Sequence, residues 1–200
     1  MKTTSCILTA ENIINFSENS NQCAHERVTL EEILLHCEQN NIEVLEWFIQ
    51  FGKDIRSIIL NVHAYRMGLR FGFSEIAFDQ YGWFHRPTFL ELEELRFGLT
   101  DANRFGNYST ITLGRGINHV WAFGMSVSYG TAGSSSGISV YSKCFSSRED
   151  ALAKATDELR IMMQTKLGDK DTTNFNQKVI AATLKDIERL TVSKIQLTLF

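Results

Sequence analysis

The apolar residues between Thr29 and Val62 fall at helical spacing. Leu30, Ile33, Leu34 and Cys37 share one stripe, and Thr29 with Glu32 has the spacing of a capping box, so the pattern predicts a helix opening there. Asn40-Asn41 breaks it. A second helix is expected from Ile42, carrying Val44, Leu45, Trp47, Phe48 and Phe51, with Gly52 as its cap. A third follows with Ile55, Ile58, Ile59 and Val62. Residues 68–87 keep no period and are punctuated by Gly68, Gly72 and Gly82, which predicts irregular or short-strand structure. Pro87-Thr88 then reads as the opening of a short helix with Leu90, Leu92 and Leu95.

The period changes in the C-terminal half. Tyr108–Leu113 reads as a strand, and Gly114-Arg115-Gly116-Ile117-Asn118 as a tight turn. Between His119 and Tyr129 the large residues Trp121, Phe123, Met125, Val127 and Tyr129 alternate with the small or slender Val120, Ala122, Gly124, Ser126 and Ser128. That alternation places one face of a strand on a core. Gly130 to Gly137 reads as a Gly/Ser-rich loop and Ile138–Tyr141 as a third strand. Ser146 with Glu149, or Ser147 with Asp150, caps a long helix carrying Ala151, Leu152, Ala155, Leu159 and Met162-Met163. Gly168-Asp169-Lys170-Asp171 ends it, and a last helix carries Val179, Ile180, Leu184, Ile187 and Leu190.

These elements predict an α+β protein: a helical N-terminal lobe, then a small antiparallel sheet packed by long C-terminal helices. The expected divisions are a polar, Ser/Asn-rich arm over 1–27 with a short helix near Ile7–Ile14, a mainly helical lobe over 28–106, a β-β-β-α-α module over 107–190 and a tail over 191–200.

Composition narrows the functional classes. The chain has 200 residues, 44% of them apolar and 22% charged, enough for a folded core. The formal charge of −3 gives no global pull toward nucleic acid, so any such contact needs a local patch or a tether. The N-terminus lacks the apolar core of a signal peptide, and no run of eighteen apolar residues occurs. Cys6, Cys23, Cys37 and Cys144 are scattered without a CxxC pair. The expectation is a bacterial cytoplasmic protein without membrane contact; oligomeric state is not legible.

Cofactor chemistry finds little support. A phosphate-binding Gly-x-x-x-x-Gly-Lys-Ser/Thr loop is absent, and Gly114-Arg115-Gly116 reads as a hairpin turn rather than a dinucleotide fingerprint. The Gly133–Gly137 run offers backbone and hydroxyl donors, but its composition is that of a loop tip. Cys23-x-His25 and His36-Cys37 do not have the spacing of zinc modules, so neither a metal nor a cofactor is expected. His119 reads as a half-buried strand residue, and the carboxylate pairs Glu31-Glu32 and Glu93-Glu94 as solvated faces. No catalytic residue is assigned, and the chain leans away from an enzyme. Residues 29–51 mimic a helix-turn-helix but carry five glutamates and no Lys or Arg, which excludes a phosphate-facing recognition helix. The candidate nucleic-acid patch is Lys53, Arg56, His63, Arg66 and Arg70, with Arg115; Arg56, His63 and Arg70 recur every seven residues.

The last five residues carry the clearest functional signal. Leu197, Leu199 and Phe200 are large apolar anchors, and Gln196 supplies an amide that can fix register at a groove rim. Gln196-Leu197-Thr198-Leu199-Phe200 resembles the QLxLF-type peptide by which bacterial polymerases, mismatch-repair proteins and many phage or plasmid proteins dock on the DNA sliding clamp. That resemblance implies the bacterial sliding clamp as partner, with DNA reached through it. More diffusely, Leu113–Gly116, Trp121, Gly124–Ser126, Gly137–Val140 and Phe145-x-Ser147-Arg148-Glu149-x-Ala151 resemble an uncharacterised β-β-β-α module of phage, plasmid and conjugative-element proteins, over about 108–159. Together they imply an accessory DNA-metabolism protein of a phage or mobile element, recruited to the clamp or competing there. Two alternatives stand beside it: a nucleic-acid-modifying enzyme or subunit with a dispersed active site, and a protein-interaction module of a defence or counter-defence system.

Overall fold

A computed structural model describes residues 7–99 and 106–198, with side chains through Val192. The chain divides into two compact units, Met1–Pro87 and Thr88–Phe200. Among the described residues the first unit holds four helices, α1 (Ala10–Asn19), α2 (Ala24–Glu38), α3 (Ile42–Ile49) and α4 (Ile55–Leu69). The second holds β1 (Leu90–Gly98), β2 (Tyr108–Arg115), β3 (Trp121–Ser128), β4 (Gly133–Ser136), α5 (Arg148–Lys166) and α6 (Gln177–Thr198). This is an α+β protein, with helices first and a small antiparallel sheet packed by the C-terminal helices.

In the first unit each helix start is fixed by a local polar contact. Thr9 Oγ1 accepts from the Asn12 amide at 3.2 Å, and Asp54 accepts from the Ser57 amide at 2.8 Å. α2 opens six residues before the Thr29 start that the sequence suggests. The Glu26 carboxylate reaches back to the Cys23 backbone N–H at 2.8 Å, the same i, i+3 reciprocity as Thr29 and Glu32 but further upstream. Thr29 instead lies buried within the helix, donating to the His25 carbonyl. The polar arm is likewise structured in its described part. α1 covers Ala10–Asn19 because Leu8 and Ile13 are buried, while its Ser- and Asn-rich side faces solvent. The core joins these two residues to Leu30, Ile33, Leu45, Phe48, Phe51, Ile58, Ile59 and Val62.

In the second unit the strands follow one another in an antiparallel meander, β1-β2-β3-β4. β1 replaces the helix expected after Pro87-Thr88. Between Leu90↔Arg115 and Glu93↔Leu113 this strand spends three residues against its partner's two, which is a bulge. The bulge slips the alternation by one residue, so Leu90 and Leu92 are followed by Leu95 and Phe97. That spacing imitates a helix. Glu91 sits in the bulge with φ of 49°.

The large residues of the alternating strands face α5 and α6. Phe97, Ile111, Leu113, Met125 and Val127 pack on Ala151, Leu152, Ala155, Leu159 and Met163 of α5 and on Ile180 and Ile187 of α6. Ser147 caps α5 through the Asp150 amide at 3.0 Å. Arg148 then grips Glu93 with two hydrogen bonds, 2.8 and 2.6 Å, tying the start of α5 to β1. α6 is fastened to the other end of β1: Asp186 accepts from the Gly98 amide at 2.9 Å.

The small residues serve the opposite face. The stretch after β4, expected as a strand over Ile138–Tyr141, crosses the sheet instead, and the expected Gly/Ser loop supplies β4. A Cβ on Gly124 would lie 2.4 Å from the Ile138 nitrogen, and one on Gly114 would lie 2.8 Å from Ile138 Cδ1. Ala122 and Val140 are buried there. Backbone pairing to β3 alone decides β4, since its four residues are all exposed.

Gly124→Ala is expected to lower stability by about 1–3 kcal/mol, because the crossing backbone must move away from the new methyl group. Gly137→Ala, where a Cβ meets nothing within 4 Å, is expected to stay within about 0.5 kcal/mol of the parent in the same urea titration.

Candidate functional site

α6 presents its packed face through Val179, Ile180, Thr183 and Ile187, with Leu184 and Leu190 at the margin of the core. Thr191 and Val192 are exposed. The helix continues into the stretch expected as a tail, so Gln196, Leu197 and Thr198 have helical backbone. No glycine or proline between Thr191 and Thr198 stops it. Leu199 and Phe200 lie outside the described residues, as do the side chains of Gln196, Leu197 and Thr198.

The residues of the expected basic patch are drawn to different partners. Arg66 forms a two-pronged pair with Glu32, both bonds at 2.7 Å, over Trp47 and Phe48 of α3. Arg56 lies 3.5 Å from the Glu26 carboxylate, which is buried. His63 stacks on His25, ring centroids 3.9 Å apart. Arg70 caps α4 and its guanidinium contacts the Met67 sulfur at 3.4 Å. Arg115 belongs to the second unit, where it bridges Glu91 and His119. His119 Nδ1 lies 2.6 Å from that guanidinium, which can only donate. Lys53 is exposed and forms no ion pair with a described residue. The seven-residue spacing on α4 therefore does not make a row of unpartnered cations.

Cys23, His25, Glu26 and His63 converge between α2 and α4, yet their geometry is structural. The Cys23 sulfur is 3.1 Å from His25 Nδ1 and 3.3 Å from Nε2. Such near-equal distances put it over the ring face rather than along a nitrogen lone pair, which a proton relay needs. Cys37 points elsewhere, toward the Leu8 carbonyl at 3.5 Å. Among the described residues no three His, Cys, Asp or Glu side chains come together to hold a metal ion.

A cleft in the first unit was not legible as a site. It has a volume of about 500 Å³ and is lined by Phe51, Lys53, Asp54, Arg56, Phe78, Tyr81 and Trp83, among others. Its far wall is a tight loop closed by the Phe78↔Phe84 bridge and by the Asp79 amide on the Trp83 carbonyl at 2.8 Å. Asp79 Oδ1 accepts from the Tyr81 and Trp83 amides, at 2.9 and 3.0 Å. Gly82 takes φ of 83° to close the turn. Asn61 of α4, almost wholly buried, braces the loop from beneath: its amide nitrogen donates to the Phe51 and Gly82 carbonyls, and its oxygen accepts from the Phe84 amide. The signal in the sequence was the run Phe78-Asp79-Gln80-Tyr81-Gly82-Trp83-Phe84, aromatic residues threaded through a turn signature.

A second hollow, of about 410 Å³, lies against β3 and β4 and is lined by hydroxyls including Thr110, Ser126, Ser128 and Ser134. No described lysine or arginine lines it, so the serine run has no cation beside it to hold a phosphate. The Ser128 hydroxyl is already spent, donating to the Gly106 carbonyl and accepting from the Gly130 amide.

No protein-family model, curated protein or solved structure matches the chain. No helix among the described residues is long and apolar enough to cross a membrane.

Asn61→Ala is expected to cost about 2–4 kcal/mol, because it strands two carbonyls and an amide. Trp83 fluorescence should shift to longer wavelength as the loop loosens. Acid stability should fall in two stages. Burial foremost, then His25, holds the His63 ring below its ordinary 6.5, so its contribution is full above 6.5 and is lost as pH falls through the lowered value. The Cys23 amide foremost holds Glu26 below its ordinary 4.5, so its contribution is full above 4.5 and is lost further down. In urea midpoints measured against pH, His63→Phe is expected to remove the first stage and Glu26→Gln the second.

Proposed function

We propose that the protein is an accessory factor of DNA metabolism that docks on the bacterial DNA sliding clamp through Gln196–Phe200. The observation that carries this reading is the pattern of the segment itself, three large apolar anchors behind one glutamine. The packing of α6 agrees with it. Among the described side chains Leu190 is the last of α6 that packs on the core, and Thr191 and Val192 after it face solvent.

A groove that reads alternate side chains takes an extended peptide. Docking then requires the final turn of α6 to unwind. That costs little, since the last carbonyls of a helix have no intrahelical partner and helix ends fray. Anchors of this size, less the ordering of the segment, give an affinity on the order of micromolar. The phage or mobile-element setting is part of the same proposal and rests on the resemblance of 108–159. Occupying the clamp either brings this protein to replicating DNA or keeps other clamp ligands away.

Calorimetry with a bacterial sliding clamp tests the reading. The intact chain is expected to bind, while deletion of residues 196–200 abolishes binding and Gln196→Ala with Phe200→Ala weakens it by at least about tenfold. Lys194→Pro breaks the end of α6 without touching the motif and is expected to preserve or tighten binding. The reading fails if none of the chains binds, or if all bind alike.

A further inference from the structure

We propose that the cleft beside the Phe78–Phe84 loop binds single-stranded nucleic acid, with bases stacked on Trp83 and Tyr81 and phosphates held by Lys53 and Arg56. It concerns a site in the Met1–Pro87 unit and does not depend on clamp docking, whose motif lies in the other unit.

The first ground is the exposure of aromatic rings on a rigid support. Tyr81 is 78% exposed and Trp83 48% exposed, although both are large enough to gain from burial. Floppy loops expose such residues by default, but this loop is held by Asp79, by Asn61 and by its own strand-like bridge. A loop backbone fixed before binding loses little freedom when a ligand arrives. Flat apolar faces with a polar edge suit the face of a nucleobase, and stacking of this kind tolerates any sequence.

The second ground is the charge around those rings. The cleft wall carries two cations and one acidic side chain, with a second carboxylate, Asp79, in the loop. Both carboxylates are turned onto backbone amides: Asp54 onto Ser57, and Asp79 onto Tyr81 and Trp83. Lys53 has no carboxylate partner among the described residues, and the Arg56 side chain is half exposed beside its one pairing with Glu26. Lys53 and Arg56 are the side chains of that wall that can donate to a phosphate, next to the rings that take the base. The volume of about 500 Å³ accommodates a group of nucleotide size.

Selectivity for single strands follows from the same geometry. A duplex offers phosphates but keeps its base faces stacked on each other, so it can use the cations and not the rings. The chain's net charge of −3 opposes unspecific attachment of either form elsewhere. Binding should accordingly be modest, sensitive to salt and confined to this cleft.

The test is fluorescence polarisation with the full chain and a labelled thymidine oligonucleotide of about twenty residues, a length that exceeds the span of one small site. Saturable binding is expected at low salt, and the matching duplex should bind at least about tenfold more weakly. Trp83→Ala and Tyr81→Ala should each weaken binding by about tenfold, and Trp83→Phe should largely retain it. Lys53→Glu should weaken binding and flatten its salt dependence, while Lys53→Arg should preserve both. The proposal is overturned if the single strand does not bind, if the duplex binds equally, or if the Trp83→Ala, Tyr81→Ala double variant stays within about twofold of the parent. Retention by Trp83→Phe guards against a loss that merely reports unfolding.

Discussion

The second unit depends on one close approach, the passage of the Gly137–Tyr141 backbone across the sheet at Gly124. A side chain at that position would push the backbone of Gly137 and Ile138 away. With the glycine in place the thin sheet acquires cover on both faces. Helices take the face that carries Phe97, Ile111 and Leu113, and an irregular segment takes the other. Glu93 and Gly98 on β1 then become the fixed points to which α5 and α6 are tied. The placement of α6 rests on that sheet, since Ile180 and Ile187 share one core with Phe97, Ile111 and Leu113.

The first unit spends its charge inwardly. Arg66 is clamped by Glu32, Arg56 leans on Glu26, and Glu26 is itself committed to the start of α2. These pairs couple α2 to α4, and the stacked imidazoles of His25 and His63 add a further contact between the same helices. What remains available to a ligand is therefore limited and local. The cleft under the Phe78–Phe84 loop holds Lys53, which has no ion-pair partner among the described residues.

Much of this architecture was legible as pattern. The alternation around Trp121–Tyr129 and the helical stripes from Leu30 to Val62 mark buried faces, and burial dominates where those faces lie. The failures are of another kind. β1 looked helical because a bulge at Glu91 interrupts its alternation, and the register that reveals the bulge exists only in the partner strand. β4 has no side-chain preference at all; its pairing is a backbone event. The Thr29–Glu32 cap was a sound motif outcompeted by an equivalent one upstream. Of the expected cationic patch, Lys53 and Arg56 share one cleft while Arg66, His63 and Arg70 meet other partners: spacing along α4 shows which residues share a face, but not which carboxylates the neighbouring helix brings to meet them. The aromatic cleft needs Asn61 and Gly82 to meet across twenty-one positions, a contact without local trace.

The two rims of the sheet differ from its middle in what they offer to other polypeptides. One rim is β4, four residues long, with only glycine and serine along it. The other is β1, broken by the left-handed residue at Glu91 and studded with Glu94 and Arg96. Neither supplies the long, flat, apolar border on which a stray strand can add itself. Growth by adding one copy's strand to the border of the next is thereby discouraged at both edges of the sheet.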